Sequence, residues 1–270
     1  MRLVVQKKVK FPIFSKKERG EVKELIQRNL EKKGIVILPP MEASQALVFL
    51  NENDISSTMI MLDPWYNKGV GGVREDYKTF IEKTLISSSY LTNHLYLWGF
   101  PEIVANFVNS LPHFEINAWL TWYYKNNPSV IRGWRSSQQA CIHFCRPQAK
   151  LYPQHFLTPE QNERLKAGKM RFIPGPASVI ESSLLVGFIG KKEKTSHPAQ
   201  KPVEVYDKLI RMVTVKGDLI IDPMAGSGTT GEASRLLGRK AILSDVSEEY
   251  TQIMEERLGI KRINLNPLKR

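Results

Sequence analysis

The sequence predicts an α/β protein with a mostly parallel sheet and helices on both faces. Three observations carry this. Short apolar runs of strand length alternate with helix-length amphipathic segments along most of the 270 residues. Two of those runs end in Asp-Pro, at Asp63-Pro64 and Asp222-Pro223, where a strand would hand over to a loop. The second opens a glycine-rich turn that leads into a helical pattern. Composition agrees: 42% hydrophobic and 24% charged residues are ordinary for a globular chain and exclude disorder as the dominant state. No run approaches the roughly 18 apolar residues that a membrane span needs. The apolar run at Leu3–Val5 is too short for a signal-peptide core, and two cysteines cannot form a disulfide framework. A cytoplasmic protein without membrane contact is expected.

The elements follow in order. Ser15 and Glu18 form an S-x-x-E capping box, and Gly34 stops a helix over about 16–33. A buried strand at 35–38 ends at Pro39-Pro40. The run 57–62 is a second strand, followed by a helix over about 76–89 and a strand at 94–98. Pro101 suits the first position of a helix to about Leu111. Strands are expected at 116–124 and 140–145, with a turn-rich stretch between them. Residues 147–196 read as irregular, with five prolines and many Lys and Arg. Order returns with HPAQKP at 197–202 and a helix to about Val213. Strands at 218–221 and 241–243 flank a helix to about Leu237, and a last helix covers about 248–258.

The charge is uneven. The chain carries +12 overall, made of +6 over residues 1–50, −4 over 51–124, +8 over 125–200 and +2 over 201–270. A basic, acid-poor middle segment fits a polyanion, first of all nucleic acid.

Two constellations carry chemistry. In DPMAGSGTTG, residues 222–231, Gly226, Gly228 and Gly231 match G-x-G-x-x-G between a strand and a helix, so the backbone can turn sharply and approach a ligand. The next strand ends near Asp245, whose carboxylate can accept bonds from a ribose diol. Together they imply a cofactor containing adenosine, a dinucleotide or S-adenosylmethionine. Asp222 favours the latter, because it can meet an ammonium and would repel a pyrophosphate. The second constellation is Asp63-Pro64-Trp65-Tyr66. Asp63 and the Pro64 carbonyl can accept both protons of an exocyclic amine, and an aromatic ring can stack on its base. That amine is a poor nucleophile until the two acceptors localise its lone pair toward a methyl sulfonium.

The order DPWY at 63–66, a basic irregular stretch, HPAQKP at 197–202 and DPMAGSGTT at 222–230 resembles the amino-group DNA methyltransferases of the β arrangement, which make N6-methyladenine or N4-methylcytosine. The resemblance spans about Gly34 to Leu258. It implies a Rossmann-like, seven-stranded methyltransferase sheet with circularly permuted motif order, S-adenosylmethionine as cofactor and DNA as partner. It implies catalytic roles for Asp63, Pro64, Trp65 and Tyr66, with Tyr66 on a base flipped from the duplex. It implies cofactor contacts for Asp222, Pro223, Met224, Ala225, Gly226, Ser227, Gly228, Thr229, Thr230 and Asp245, with Gln200 and Lys201 near the cofactor carboxylate. Four regions result: a basic extension and helix (1–34), a catalytic half (35–146), a target-recognition segment (147–196) and a cofactor half (197–270). A cognate restriction endonuclease and a homodimer are partners that the resemblance allows.

The sequence departs from the family pattern at Trp65, where proline is usual, at Met224 in place of Phe, and at Pro39-Pro40. An aspartate opening the tetrad favours adenine N6 over cytosine N4. Methylation of RNA, a catalytically silent binding module and a dinucleotide oxidoreductase are the competing readings. DNA contacts are expected from Arg132, Trp134 and Arg135 in a turn and from Lys191, Lys192 and Lys194, with Lys7, Lys8, Lys10, Lys16 and Lys17 as a second basic group. Cys141, His143 and Cys145 would share one strand face, which cannot easily wrap a tetrahedral metal, so no metal site is expected.

Overall fold

A computed structural model of the chain describes residues 16–67, 72–127, 130, 131 and 133–265. The Ser15 cap, Arg132 and Lys7, Lys8 and Lys10 lie outside the described residues, as do the side chains of Lys16 and Lys17. The strands are β1 (Ile35–Ile37), β2 (Met59–Leu62), β3 (His94–Gly99), β4 (Glu115–Tyr123), β5 (Val130–Ile131), β6 (Trp134–Arg135), β7 (Gln138–Cys145), β8 (Val179–Glu181), β9 (Leu219–Asp222) and β10 (Lys240–Leu243). The helices are α1 (Lys16–Lys33), α2 (Ala43–Glu52), α3 (Tyr77–Ser89), α4 (Pro101–Val104), α5 (Pro159–Lys166), α6 (Val203–Val213), α7 (Thr229–Leu236) and α8 (Glu248–Leu258).

Eight strands form one sheet in the order β1-β10-β9-β2-β3-β7-β4-β8, and β5 and β6 make a separate hairpin. Pairing is parallel from β1 to β3, antiparallel across β7, and parallel again between β4 and β8. The seven expected strands account for β1, β2, β3, β4, β7, β9 and β10. The eighth, β8, comes from the stretch read as irregular. Its three residues are too few to show a period, and it gains order only by pairing with β4 at Thr121–Tyr123.

Strand alternation divides the core between the faces. Ile60, Leu62, Leu95 and Leu97 pack on one side with α1, α2 and α3. Met59, Met61, Tyr96 and Trp98 pack on the other against Val205, Leu209 and Ile210 of α6. A third cluster seats Met254 and Leu258 of α8 on β1 and β10. At roughly 1.5–3 kcal/mol per fully buried side chain, these faces hold the strand tips in register.

Three helices differ from expectation. Helix α5 forms inside the stretch read as irregular, where Thr158 and Gln161 make a capping box and Pro159 takes the first helical position. The helix starting at Pro101 ends at Val104 and continues as a 3-10 turn, Ala105–Phe107. There the Asn106 amide donates to the carbonyls of Glu102 and Ile103, competing with helix propagation. The unexpected α2 buries Ala43, Ala46, Leu47 and Leu50, a helical spacing, behind a capping box of Glu42 and Gln45.

Candidate active site

Parallel strands β2 and β9 are neighbours, so Asp63 and Asp222 stand at adjacent tips on the same edge of the sheet. Ligands of such sheets bind beyond these carboxyl ends. The two corners share a cavity of about 730 Å³. Its walls include Asp63, Pro64, Trp65, Tyr66, Gln200, Lys201, the loop from Pro223 to Ser227, Thr229 and Asp245.

Asp63 is the most heavily bonded group at the rim. The Lys201 ammonium donates to both of its oxygens at 2.5 Å, and the Tyr206 hydroxyl donates to Oδ2 at 2.9 Å. Lys201 is only 3% exposed. It also donates to the Tyr66 hydroxyl at 3.0 Å and lies over the rings of Tyr66 and Trp98 at 5.6 and 5.1 Å. A carboxylate has about four acceptor positions. Three are occupied, which leaves one on Oδ1. Burial and the Asp63 charge hold the Tyr66 phenol far above its usual range, so it stays neutral. Its hydroxyl donates to Gln139 Oε1 at 2.5 Å, and its ring packs on Phe100 at 4.6 Å.

Lys201, expected near a cofactor carboxylate, borders the shared cavity and directs its ammonium at Asp63. Gln200 is also engaged within the chain, accepting from the Thr195 amide and hydroxyl and donating to the Glu193 carbonyl. Trp65 turns its indole onto Tyr77 and Phe80, with centroids at 5.4 and 5.7 Å, while the Tyr77 hydroxyl donates to the Trp65 carbonyl at 2.7 Å. Trp65 therefore pins the corner to the start of α3.

The cofactor loop is built locally. Asp222 accepts from the Met224 amide at 3.0 Å and the Thr230 hydroxyl at 2.5 Å, clamping both ends of the loop. It is buried beneath the loop rather than at the cavity wall, so it differs from the expected partner of a ligand ammonium. Burial pushes its carboxyl up to about 7. Gly226 and Gly228 both adopt positive φ, +50° and +77°. A Cβ on Gly226 would meet His197 Nε2 at 2.9 Å, and one on Gly228 would meet Met254 at 2.8 Å, so the loop lies too close to its neighbours for a side chain. Asp245 accepts from the Gly226 amide at 3.0 Å and the Ser247 amide at 2.9 Å. Burial raises its pKa, and it borders the cavity.

Several participants carried no legible signal. Tyr206 is one apolar-face residue of α6 by sequence, and only packing brings its hydroxyl to Asp63. His197 stands edge-on to Tyr250 at 4.3 Å over the cavity, with burial pushing it down to about 4. Its place in HPAQKP was the available cue. Arg257 donates to the Ser227 carbonyl and to the hydroxyls of Ser227 and Thr229, and pairs with Glu193 at 3.4 Å.

The surface residues scatter over two features. Trp134, 85% exposed, and Arg135 sit on the β5–β6 hairpin. Lys191, Lys192 and Lys194 are exposed around the turn after Gly190. The C-x-H-x-C strand is packed: His143 uses one ring nitrogen on His94 at 3.1 Å and the other on Asn117 at 3.0 Å. Among the described residues no cluster of three metal-ligating side chains occurs, and no helix is long and apolar enough to cross a membrane.

Comparison with known proteins gives the family and the fold. The N6/N4 methyltransferase family described as DNA methylase matches residues 25–256. The type II methyltransferase M.HpaI of Haemophilus parainfluenzae is 28% identical over 230 residues, 80% of this chain and 72% of the relative. The structure of an M1.HpyAVI–SAM complex superposes with a TM-score of 0.65 at 21% identity, covering 84% of this chain and 100% of that one. The cytosine-N4-specific PvuII DNA methyltransferase superposes at 0.58 with 14% identity, covering 88% and 92%.

Proposed function

We propose that this chain, which belongs to the N6/N4 amino-group DNA methylases, transfers a methyl group to adenine N6 of a base flipped from duplex DNA. The carrying observation is the pair of Asp-Pro corners on adjacent parallel strands, opening into one cavity. S-adenosylmethionine, the family's cofactor, supplies a methyl on a sulfonium. A 730 Å³ cavity bordered by Asp245, by the glycine loop and by the ring of Tyr250 fits such a molecule.

The chain's residues divide the work. Asp245 meets the ribose, and the loop from Pro223 to Thr229 follows the rest, with Asp222, Gly228 and Thr230 holding its shape from below. Tyr66 stacks on the extruded base. The acceptor position left on Asp63 Oδ1 takes one amine proton, and the Pro64 carbonyl takes the other. Lys201 and Tyr206 hold the Asp63 carboxylate in place by hydrogen bonds to both oxygens. With the cofactor bound, its sulfonium would supply the methyl, and Asp63 would pass the amine proton that the methyl displaces to water. Trp65 fixes the corner's backbone, and Gln200 ties the HPAQKP segment to Glu193 and Thr195. Arg132, Trp134, Arg135, Lys191, Lys192 and Lys194 contact the DNA from residues around the recognition segment, 147–196, between the catalytic and cofactor parts of the chain. A cytoplasmic location and a cognate endonuclease belong to the same reading, and a homodimer is tested by the mass in solution.

Sequencing of modified bases in DNA from cells expressing the protein tests this reading. N6-methyladenine at one short sequence is expected. N4-methylcytosine would move the target atom, and unmodified DNA with labelled RNA, or no label at all, would overturn the proposal.

A further inference from the structure

The most exposed large apolar side chain among the described residues belongs to no core. Phe188 is 92% exposed at the tip of a loop, with Val186 and Ile189 also exposed beside it. Water disfavours such a tip unless a partner covers it. The loop is nevertheless firmly rooted. On one side the Asn126 amide donates to the Leu184 carbonyl while its oxygen accepts from the Leu184 amide, both at 2.8 Å. On the other, the turn at Gly190 accepts from the amides of Glu193 and Lys194, and Glu193 pairs with Arg257 and caps the Val203 amide at 2.7 Å. Arg257 in turn holds the cofactor loop at Ser227 and Thr229.

The surroundings say what covers the tip. Lys191, Lys192 and Lys194 follow it in the chain, all three exposed. Glu193, the acid in their midst, is turned inward on Arg257. The root residue Asn126 lies two positions after Tyr124, whose hydroxyl donates to the Gln138 carbonyl next to the Gln139 that Tyr66 bonds. The β5–β6 hairpin bearing Trp134 grows from the same segment, through the Asn127 amide on the Ser136 carbonyl. An apolar tip followed by three exposed lysines, its root tied through Asn126 to the strand pair that also carries the Gln139 partner of Tyr66, matches a wedge for a polyanion with stacked interior. Proteins that unstack DNA insert Phe, Leu or Ile in this way.

We infer that Phe188 enters the duplex beside the target and fills the gap left by the extruded base, while Lys191, Lys192 and Lys194 hold the flanking phosphates. This rests on the proposed methylation of duplex DNA and adds the device that keeps the base out of the stack.

The test uses the full-length protein and two synthetic duplexes carrying the methylated sequence, one with the target base paired and one with it mismatched. Extrusion is cheaper from a mismatch. Phe188→Ala should lose about tenfold or more in transfer on the paired duplex, roughly 1.4 kcal/mol. It should recover to within about threefold of the unsubstituted protein on the mismatch. Phe188→Leu, also a wedge, should keep most of the paired rate. Unchanged cofactor affinity by calorimetry confirms a folded variant. Equal loss on both duplexes would overturn the wedge, and so would no loss on either, which would assign the tip to a protein contact. Transfer by the unsubstituted protein to the paired duplex tests the enzyme itself, so each idea can fail alone.

Discussion

The two Asp-Pro corners look alike in sequence and sit on adjacent strands, yet they are wired in opposite ways. Asp222 finds its partners two and eight residues away, at Met224 and Thr230. Asp63 finds its partners 138 and 143 residues away, at Lys201 and Tyr206. One carboxyl is a clamp inside its own loop, neutralised in part by burial. The other is an acceptor whose partners are assembled by the whole fold. A short motif can encode the first completely, whereas the second exists only once α6 has packed on the sheet.

The largest expected effect breaks the long-range corner. Asp63→Ala should reduce transfer at least about a thousandfold, because the amine loses an acceptor in a water-poor site. Lys201 would be left buried without its partner, so unfolding stability should drop by about 3–5 kcal/mol. Cofactor affinity should stay within about threefold, because that corner is built from other residues. A transfer assay, denaturant unfolding and calorimetry read the three quantities, and normal turnover would remove Asp63 from the chemistry.

The local corner has its own signature in pH. The folded Asp222 pKa of about 7 lies above its ordinary value of 3.8. The contribution of Asp222 to the stability of the cofactor-free protein is therefore full below about pH 4 and is lost as pH rises from about 4 to about 7. Asp222→Asn cannot ionise. Between pH 5 and pH 8 its unfolding free energy should gain about 2–3 kcal/mol relative to the unsubstituted protein. A difference that does not change with pH would mean that the carboxyl is ionised throughout.

A smaller effect sharpens the division of labour. Asp245→Ala removes the acceptor of the Gly226 and Ser247 amides and the proposed ribose contact. The cofactor dissociation constant should rise about tenfold or more, roughly 1.4 kcal/mol, with the loss in transfer recovered at saturating cofactor. An unchanged dissociation constant would move the ribose elsewhere. Smallest of all, Trp65→Phe keeps the stacking on Tyr77 and Phe80 but removes the indole donor to the Gly72 carbonyl. Its cost should be about 1 kcal/mol in unfolding stability. A loss of 4 kcal/mol would show that the indole bears far more of the corner than this contact.

The same contrast explains what was legible in the sequence. Strand–helix alternation, the glycine loop and Asp245 follow from local spacing, and each stands at the expected strand tip. The helix α2 was equally local, with apolar positions at helical spacing behind Glu42, but the preceding Pro39-Pro40 drew attention to a break instead. Strand β8 could not be read, because three residues become a strand only beside β4. The role of Lys201 was hidden for the same reason as that of Tyr206. Neighbours in sequence assign Lys201 to the cofactor segment, and only the sheet brings its ammonium to Asp63. Trp65 replaces a usual proline, and its ring borders the cavity while packing on Tyr77 and Phe80 from α3.

The claim that both corners serve a single methyl transfer is tested most directly by following the methyl itself. Duplex DNA is incubated with the protein and S-adenosylmethionine labelled on the methyl group, then digested to nucleosides and separated. Label in N6-methyl-deoxyadenosine is the predicted result. Label in no DNA nucleoside, or on a ring carbon rather than an exocyclic amine, would contradict the account.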